Sequence, residues 1–162
     1  MKQRIKLFFL LFLLIGIVDA SPAIAQYRSL GIGGMIGSPT GISLKKWVSR
    51  RAAYDLGAAW SIGSNPGLHL HADYLLHRSD LEGLEQGRSY MYYGIGGRLK
   101  VVEADPRAGA RFPIGITYIN PEEPFDVFLE IVPIFDILPS TRFAMNISLG
   151  GRFYLSGNRN RF

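Results

Sequence analysis

Three side chains of metal-ligand type lie at alternate positions of the stretch 68–77. His69, His71 and Asp73 are spaced i, i+2, i+4, and His77 is the remaining histidine of the chain. On a β-strand these positions share one face, but i and i+4 are about 13 Å apart. One metal ion could therefore take at most two of them without a ligand from a neighbouring strand. We expect a hydrogen-bonded interior network here, and no metal site.

Two acidic residues, Asp126 and Glu130, are the other candidates for acid and base chemistry. On one strand they too are about 13 Å apart, whereas the paired carboxylates of glycosidases approach much more closely. Asp136 is expected near a rim. A nucleophile turn of the type Gly-x-Ser-x-Gly is absent from the sequence. The chain is therefore not expected to be an enzyme, and no cofactor is expected; lipid acyl chemistry by serine and histidine groups stays an alternative.

Glycine-rich runs at 31–34 and 94–97 invite comparison with nucleotide-binding loops. The first lacks the third glycine of the dinucleotide spacing, and no helical pattern follows either run. Glycines in strands allow bending and leave space for long side chains. We therefore interpret both runs as structural.

The stretch 68–77 alternates apolar and polar residues, which is the period of a β-strand. No amphipathic helix is evident after residue 25, and turn residues separate eight strand-like runs. Short connections favour an antiparallel up-and-down order, and an even number of strands of about ten residues can close into a membrane-spanning barrel. The runs are 27–37, 41–48, 52–62, 68–77, 89–101, 109–119, 125–138 and 142–155.

The two faces of these runs differ in chemistry. One face is apolar and without charge, and we expect it to point outward: Ile32, Ile36, Ile42, Leu44, Tyr54, Leu56, Trp60, Ile62, Tyr93, Ile95, Leu99, Phe112, Ile114, Ile116, Tyr118, Val127, Leu129, Ile131, Phe143, Met145, Ile147, Leu149 and Phe153. The other face mixes glycines with both signs of charge, which suits a narrow lumen in which buried charges must pair. The predicted polar lumen network is Lys45, Asp55, His69, His71, Asp73, Arg98, Arg111, Asp126, Glu130 and Arg152.

Aromatic residues gather near the ends of the runs, where rings at the lipid headgroup level are expected. These residues are Trp47, Tyr54, Trp60, Tyr74, Tyr90, Tyr92, Tyr118, Phe125 and Phe143.

Residues 1–25 have the composition of a secretory signal peptide. A basic start precedes the apolar run 7–18, and Ala23-Ile24-Ala25 supplies a small-x-small cleavage site. The apolar run is too short to cross a bilayer of about 30 Å as a helix. We therefore expect a signal peptide at 1–25, a β-barrel domain at 26–155 and a polar tail at 156–162.

Composition narrows the possible partners. Without residues 1–25 the net charge falls from +5 to +3 (15 Lys and Arg against 12 Asp and Glu), which is mild, so nucleic acid is not expected, and without cysteine no disulfide can form. Stability must therefore come from the sheet itself.

In its signal segment and all eight runs, the chain resembles the small outer-membrane β-barrels of the OmpA type, such as the OmpA transmembrane domain and its OmpX-like relatives. Pieces such as Pro39-Thr40-Gly41-Ile42-Ser43, Leu68-His69-Leu70-His71-Ala72-Asp73-Tyr74 and Phe128-Leu129-Glu130 resemble uncharacterised spirochaete-type membrane barrels. Two features depart from the usual pattern: the longest connection, 78–88, follows the fourth run, and a polar tail follows the last.

This resemblance implies an all-β fold, an eight-stranded antiparallel transmembrane barrel in the outer membrane. Its interior should be filled by its own side chains, so we expect a structural or surface-interaction role and no general porin activity. The expected partners are outer-membrane lipid and the outer-membrane assembly machinery, with a monomeric barrel and an unidentified surface partner. The alternative to a membrane barrel is a soluble periplasmic ligand-binding barrel, which would turn its apolar face inward.

Overall fold

The computed structural model of the protein describes residues 30–61, 67–78, 88–102 and 106–155. The signal peptide predicted at 1–25, the tail predicted at 156–162 and most of the connection 78–88 lie outside these ranges. Within the described ranges, no helix is long and apolar enough to cross a membrane.

The described residues form nine strands, each antiparallel to its neighbours. Their sequences are rich in the β-branched and aromatic residues that fit a pleated sheet, and turn residues separate them. The strands are β1 (Leu30–Ser38), β2 (Gly41–Trp47), β3 (Ala52–Ser61), β4 (Gly67–Arg78), β5 (Arg88–Val102), β6 (Arg107–Arg111), β7 (Ile114–Ile119), β8 (Phe125–Leu138) and β9 (Arg142–Leu155).

The run predicted at 109–119 is two strands, because Phe112 and Pro113 interrupt it. Proline has no N–H to donate to a sheet. Pairing continues on both sides: the Gly94 N–H donates to the Pro113 carbonyl (2.9 Å), and the Phe112 N–H donates to the Pro133 carbonyl (3.0 Å). Because β6 and β7 both lie between β5 and β8, the nine strands fill eight positions. The antiparallel barrel is confirmed, and the prediction of an unbroken sixth strand is wrong.

The sheet closes on itself. β1 pairs with β9 as well as with β2, and β4 pairs with β5, so the order of pairing returns to its start. Closure leaves no row of unpaired backbone groups along an edge strand.

The register shows how far the strands are staggered. Gly31 faces Tyr154 across the seam between β1 and β9. Register partners can also be followed from Gly31 the other way around the barrel, from β2 to β8, and this path returns to β9 at Ala144. Ala144 and Tyr154 are ten residues apart, so the sheet is staggered by ten residues around the barrel. Such a stagger requires the strands to tilt against the barrel axis. The partners on this path are Lys45, Asp55, Asp73, Gly96, Arg111, Ile134 and Ala144.

Strand β4 shows the two faces most clearly. His71, Asp73, Leu75 and His77 are buried and His69 is half-buried, whereas every residue between them is exposed. The alternation that predicts a strand here is therefore present in the structure. The predicted outward residues of the other strands are also exposed, except that Leu44 is half-buried and Ile62 lies outside the described residues.

The interior is less polar than the sequence predicts. A buried apolar cluster of Met35, Ala59, Leu75, Tyr92 and Phe128 lies among the charged side chains. A charged side chain buried in the barrel needs a partner, so a lumen lined by eight strands cannot carry a charge at every inward position. The lumen therefore contains apolar side chains as well as ion-paired ones.

The barrel has two distinct ends. The terminal end carries the start of β1 and the end of β9, together with the turns 48–51 and 120–124. The hairpin end carries the turns 39–40 and 139–141.

Two adjacent glycines on β1 give a matched test of packing at the seam. A Cβ at Gly33 would lie 1.8 Å from the backbone oxygen of Gly151, whereas at Gly34 the nearest atom, the Gly41 oxygen, would be 3.7 Å away. We predict that Gly33→Ala lowers the free energy of unfolding by about 1–3 kcal/mol, because backbone must move to relieve the overlap. Urea unfolding of the refolded protein, followed by tryptophan fluorescence, measures this. Gly34→Ala is the control, and equal midpoints for the two variants would contradict the seam geometry.

Candidate functional site

Arg111 stands at the centre of the interior. Its Nε donates to both carboxylate oxygens of Asp73 (3.0 and 3.1 Å), and its guanidinium lies 3.4 Å from Glu130. The Tyr92 hydroxyl donates to the other oxygen of Glu130 at 3.0 Å. These contacts join β4, β5, β6 and β8 across the lumen, and the side chains of Arg111 and Asp73 are almost completely buried.

Arg152 organises a second cluster nearer the terminal end. It donates to Asp55 at 2.7 Å and to the Ser43 hydroxyl at 2.8 Å, and a third nitrogen lies 3.5 Å from Asp126. Its guanidinium also stacks on Phe128, 3.9 Å from the ring centroid. One side chain of β9 therefore contacts residues of β2, β3 and β8.

A third cluster lies toward the hairpin end and includes a residue that the sequence analysis left out of the network. Arg98 forms two hydrogen bonds with Asp136, at 2.8 and 2.6 Å, and Arg107 lies 3.8 Å from the same carboxylate. Asp136 is fully buried. It continues the inward alternation of Asp126 and Glu130 along β8, so the period of the strand would have identified it.

Lys45 does not pair with a carboxylate through a hydrogen bond. Its ammonium lies 4.7 Å from the centroid of the Trp47 indole and 5.3 Å from that of the Tyr92 ring, and within the described ranges it has no hydrogen-bond partner. A cation above aromatic faces is stabilised by their quadrupoles. His77 stacks beside the same two rings.

The prediction that Tyr92 belongs to the outer aromatic belt is wrong, since this side chain is 1% exposed and points into the lumen. Tyr92 alternates with the exposed Met91 and Tyr93, and Gly115 leaves room for its ring on the neighbouring strand. Trp47, also assigned to the belt, is half-buried and donates its indole N–H to the Tyr154 hydroxyl at 3.2 Å. Tyr90, Tyr92 and Tyr93 lie close together in the sequence, so their spacing alone does not show which of them faces inward.

The ten residues of the predicted network can now be placed. Lys45, Asp55, His71, Asp73, Arg98, Arg111, Asp126, Glu130 and Arg152 are all buried inside the barrel, and His69 is half-buried. Ion pairs join seven of them in two groups. Arg111 contacts Asp73 and Glu130. Arg152 contacts Asp55 and Asp126, and His71 lies beside Asp55. Arg98 pairs with Asp136 instead of a predicted carboxylate.

Asp55, His71 and Asp73 are the residues that come closest to a metal-ligand set. One ligand atom from each lies within 4.8 Å of the others. His71 and Asp73 lie on β4, and Asp55 is a third ligand from the neighbouring strand β3. Both carboxylates, however, already bind guanidinium groups, those of Arg152 and Arg111. The negative charges of Asp55 and Asp73 are therefore balanced by the two arginines. These ion pairs cross-link neighbouring strands and fill the lumen.

Comparisons with known proteins bear on the fold. No family model matches the chain, and no curated protein matches it. The structure is similar to the crystal structure of the N-terminal β-barrel domain of Pseudomonas aeruginosa OprF, with a TM-score of 0.55 and 14% sequence identity, over 78% of this chain and 96% of that chain. This likeness confirms the antiparallel β-barrel fold predicted from the sequence.

The ion pairs of Arg152 can be tested against an exposed arginine of the same strand. We predict that Arg152→Met lowers the free energy of unfolding by about 3–5 kcal/mol, because Asp55 and Asp126 would be left as buried charges without their shared partner. Urea unfolding measures the change. Arg142→Met is the control, since Arg142 is exposed. If both variants unfold at the wild-type midpoint, the Arg152 cluster contributes nothing to stability.

Proposed function

We propose that the protein is a small integral outer-membrane β-barrel with a side-chain-filled lumen and a structural or surface-interaction role. It is exported by its N-terminal signal peptide, inserted by the outer-membrane assembly machinery and surrounded as a monomer by outer-membrane lipid.

One observation carries this proposal: the outer surface is an apolar belt that runs around every strand position. Along β8 the outward residues from Val127 to Ile137 cover about 33 Å of strand. At the tilt of 35–45° usual for such barrels, this corresponds to a height of about 25 Å, the height of the apolar band of outer-membrane barrels. Representative exposed members from the other strands are Ile32, Ile42, Leu56, Leu70, Ile95, Ile114, Ile116 and Ile147.

The distribution of charge argues against a soluble carrier. A carrier for an apolar ligand would line its interior with apolar side chains and cover its outside with charges, whereas here the ion pairs are inside and most of the described leucines and isoleucines are outside. Soluble proteins rarely expose apolar patches larger than a few hundred Å². A belt of this extent is stable when lipid covers it.

The positions of the histidines argue against lipid acyl chemistry. All three histidines of the chain lie on β4 with their side chains on the interior face. A serine and histidine pair that acts on envelope lipid would need to reach the outer surface or an open rim. We therefore infer that the barrel does not carry out lipid acyl chemistry.

The three arginine-centred clusters argue against an open pore. They lie toward the terminal end, at the middle and toward the hairpin end, and each joins residues of different strands. An eight-stranded barrel has an interior just wide enough for its own side chains. We therefore infer that the barrel does not act as a general porin.

Partitioning and gel mobility test the membrane assignment. The full chain, expressed with its signal segment, should fractionate with the outer membrane and need detergent for extraction. Because a closed barrel resists unfolding in cold detergent, the unheated protein should migrate differently from the boiled protein on a gel. Recovery of folded protein in the aqueous fraction, with no effect of boiling on its mobility, would contradict the proposal and favour the soluble carrier.

A further inference from the structure

The apolar belt is not equally tall around the barrel. On β8 apolar residues fill the outward positions along about 33 Å of strand, whereas on β2 only Ile42 and Leu44 do so. The next outward positions on either side of this pair are Lys46 and Thr40, and both are exposed. These two polar residues are separated by about 20 Å of strand, which corresponds to a height of about 15 Å at the usual tilt.

The belt is shortened at the hairpin end. β1 ends at Ser38, whose register partner on β9 is Ile147, whereas β9 extends beyond this point to Arg142. Two outward residues of this extension, Phe143 and Met145, are 56% and 54% exposed. Apolar surface therefore continues on β9 to a height of about 10 Å above the end of β1.

The turn that joins β1 to β2 is polar. Ser38 and Thr40 are exposed, and the Thr40 hydroxyl both accepts from the Gly37 N–H and donates to the Gly37 carbonyl, each at 3.1 Å. Beside this turn, residues 142–146 of β9 have register partners on β8 only. In a membrane of even thickness these groups would lie about 10 Å inside the hydrocarbon, where backbone groups without a partner are very costly. Local thinning of the bilayer costs much less.

We propose that the β1–β2 hairpin thins the bilayer leaflet at the hairpin end of the barrel. On this side the lipid headgroups descend to the turn 38–40, while the leaflet keeps its full height at β8. This inference rests on the proposed membrane location. Headgroups and their water then occupy the space above the turn, where they hydrogen-bond the hydroxyls of Ser38 and Thr40 and the free backbone groups of β9.

Outward residues at one level on different sides of the barrel make the thinning measurable. The ten-residue stagger is shared among eight strand positions, about 1.25 residues per strand. Ile36 is the register partner of Leu149, which pairs with Leu129 on β8. This path descends toward the terminal end, so the level of Ile36 lies about two to three residues closer to the hairpin end on β8, at Ile131.

Spin-label depths in phosphatidylcholine vesicles test the proposal. The chain has no cysteine, so the single variants Ile36→Cys and Ile131→Cys can each carry one nitroxide. The ratio of its collision rates with oxygen and with a water-soluble nickel complex gives its depth. Position 36 is about 5 Å in height from Ser38, and position 131 is about 10 Å from the nearer end of its belt. We therefore expect the label at 36 to be about 5 Å shallower than the label at 131.

Matched controls separate a thinned leaflet from a tilted barrel. Ile95 on β5 is level with Ile131, and Ile95→Cys should give the same depth as Ile131→Cys. Near the terminal end, Ile32 on β1 is level with Val127 on β8. Thinning at the hairpin end leaves the labels of Ile32→Cys and Val127→Cys equally deep, whereas a rigid tilt that raises β1 would make position 32 the deeper one.

The possible outcomes separate the thinning from the membrane assignment. Equal depths at 36 and 131, or a deeper label at 32 than at 127, would overturn the thinning and leave the membrane barrel standing. A label at 36 that neither reagent reaches would mean that a second copy or another protein covers this side, which also overturns it. If the nickel complex reaches all five labels as it does in water, the barrel is not in the membrane and both proposals fail. Heat-modifiable mobility shows that each variant is folded.

Discussion

The balance of buried charge in a narrow closed ring is the constraint on which the rest of this structure depends. Each arginine at the centre of a cluster contacts one or more carboxylates from other strands. The buried Lys45 ammonium, which has no such contact, lies over the rings of Trp47 and Tyr92. Buried ion pairs are costly to desolvate and repay that cost only with good geometry and further hydrogen bonds. The donors and acceptors around Arg111 and Arg152, including Tyr92 and Ser43, supply those bonds. Among the outward positions of the described strands, charge is thereby left only at Lys46 and Arg78, both near the terminal end.

Register and small residues make these contacts possible. Arg152 of β9 reaches Ser43 and Asp55 across β1, and its register partner on β1 is Gly33, which has no side chain to obstruct it. Gly57 likewise leaves space for the His71 ring, since a Cβ there would lie 2.1 Å from the ring. The glycine runs that superficially resemble nucleotide-binding loops are thus part of the lumen packing. The residues that they accommodate come from neighbouring strands.

The period of two along each strand was sufficient to predict the faces of the barrel, because an alternating pattern has only one arrangement that separates charge from the apolar belt. Of the ten residues predicted for the lumen network, nine are buried and His69 is half-buried. The choice of partners was not predictable, because it depends on the ten-residue stagger and on which strands face each other across the lumen. Arg98 pairs with Asp136 for this reason. The break at Pro113 and the inward Tyr92 also depend on neighbouring strands, through backbone pairing and the space beside Gly115.

The central claim, an apolar exterior in lipid around an ion-paired interior, can be measured with the two tryptophans of the chain. Trp60 is 53% exposed on the outer face, and Trp47 packs against His77 inside. The barrel is reconstituted in vesicles of phosphatidylcholine brominated near the top of its acyl chains, as Trp47→Phe and as Trp60→Phe. The account predicts that bromine strongly quenches Trp60 in the first variant and only weakly quenches Trp47 in the second. Quenching of Trp60 by aqueous iodide but not by brominated lipid would contradict it.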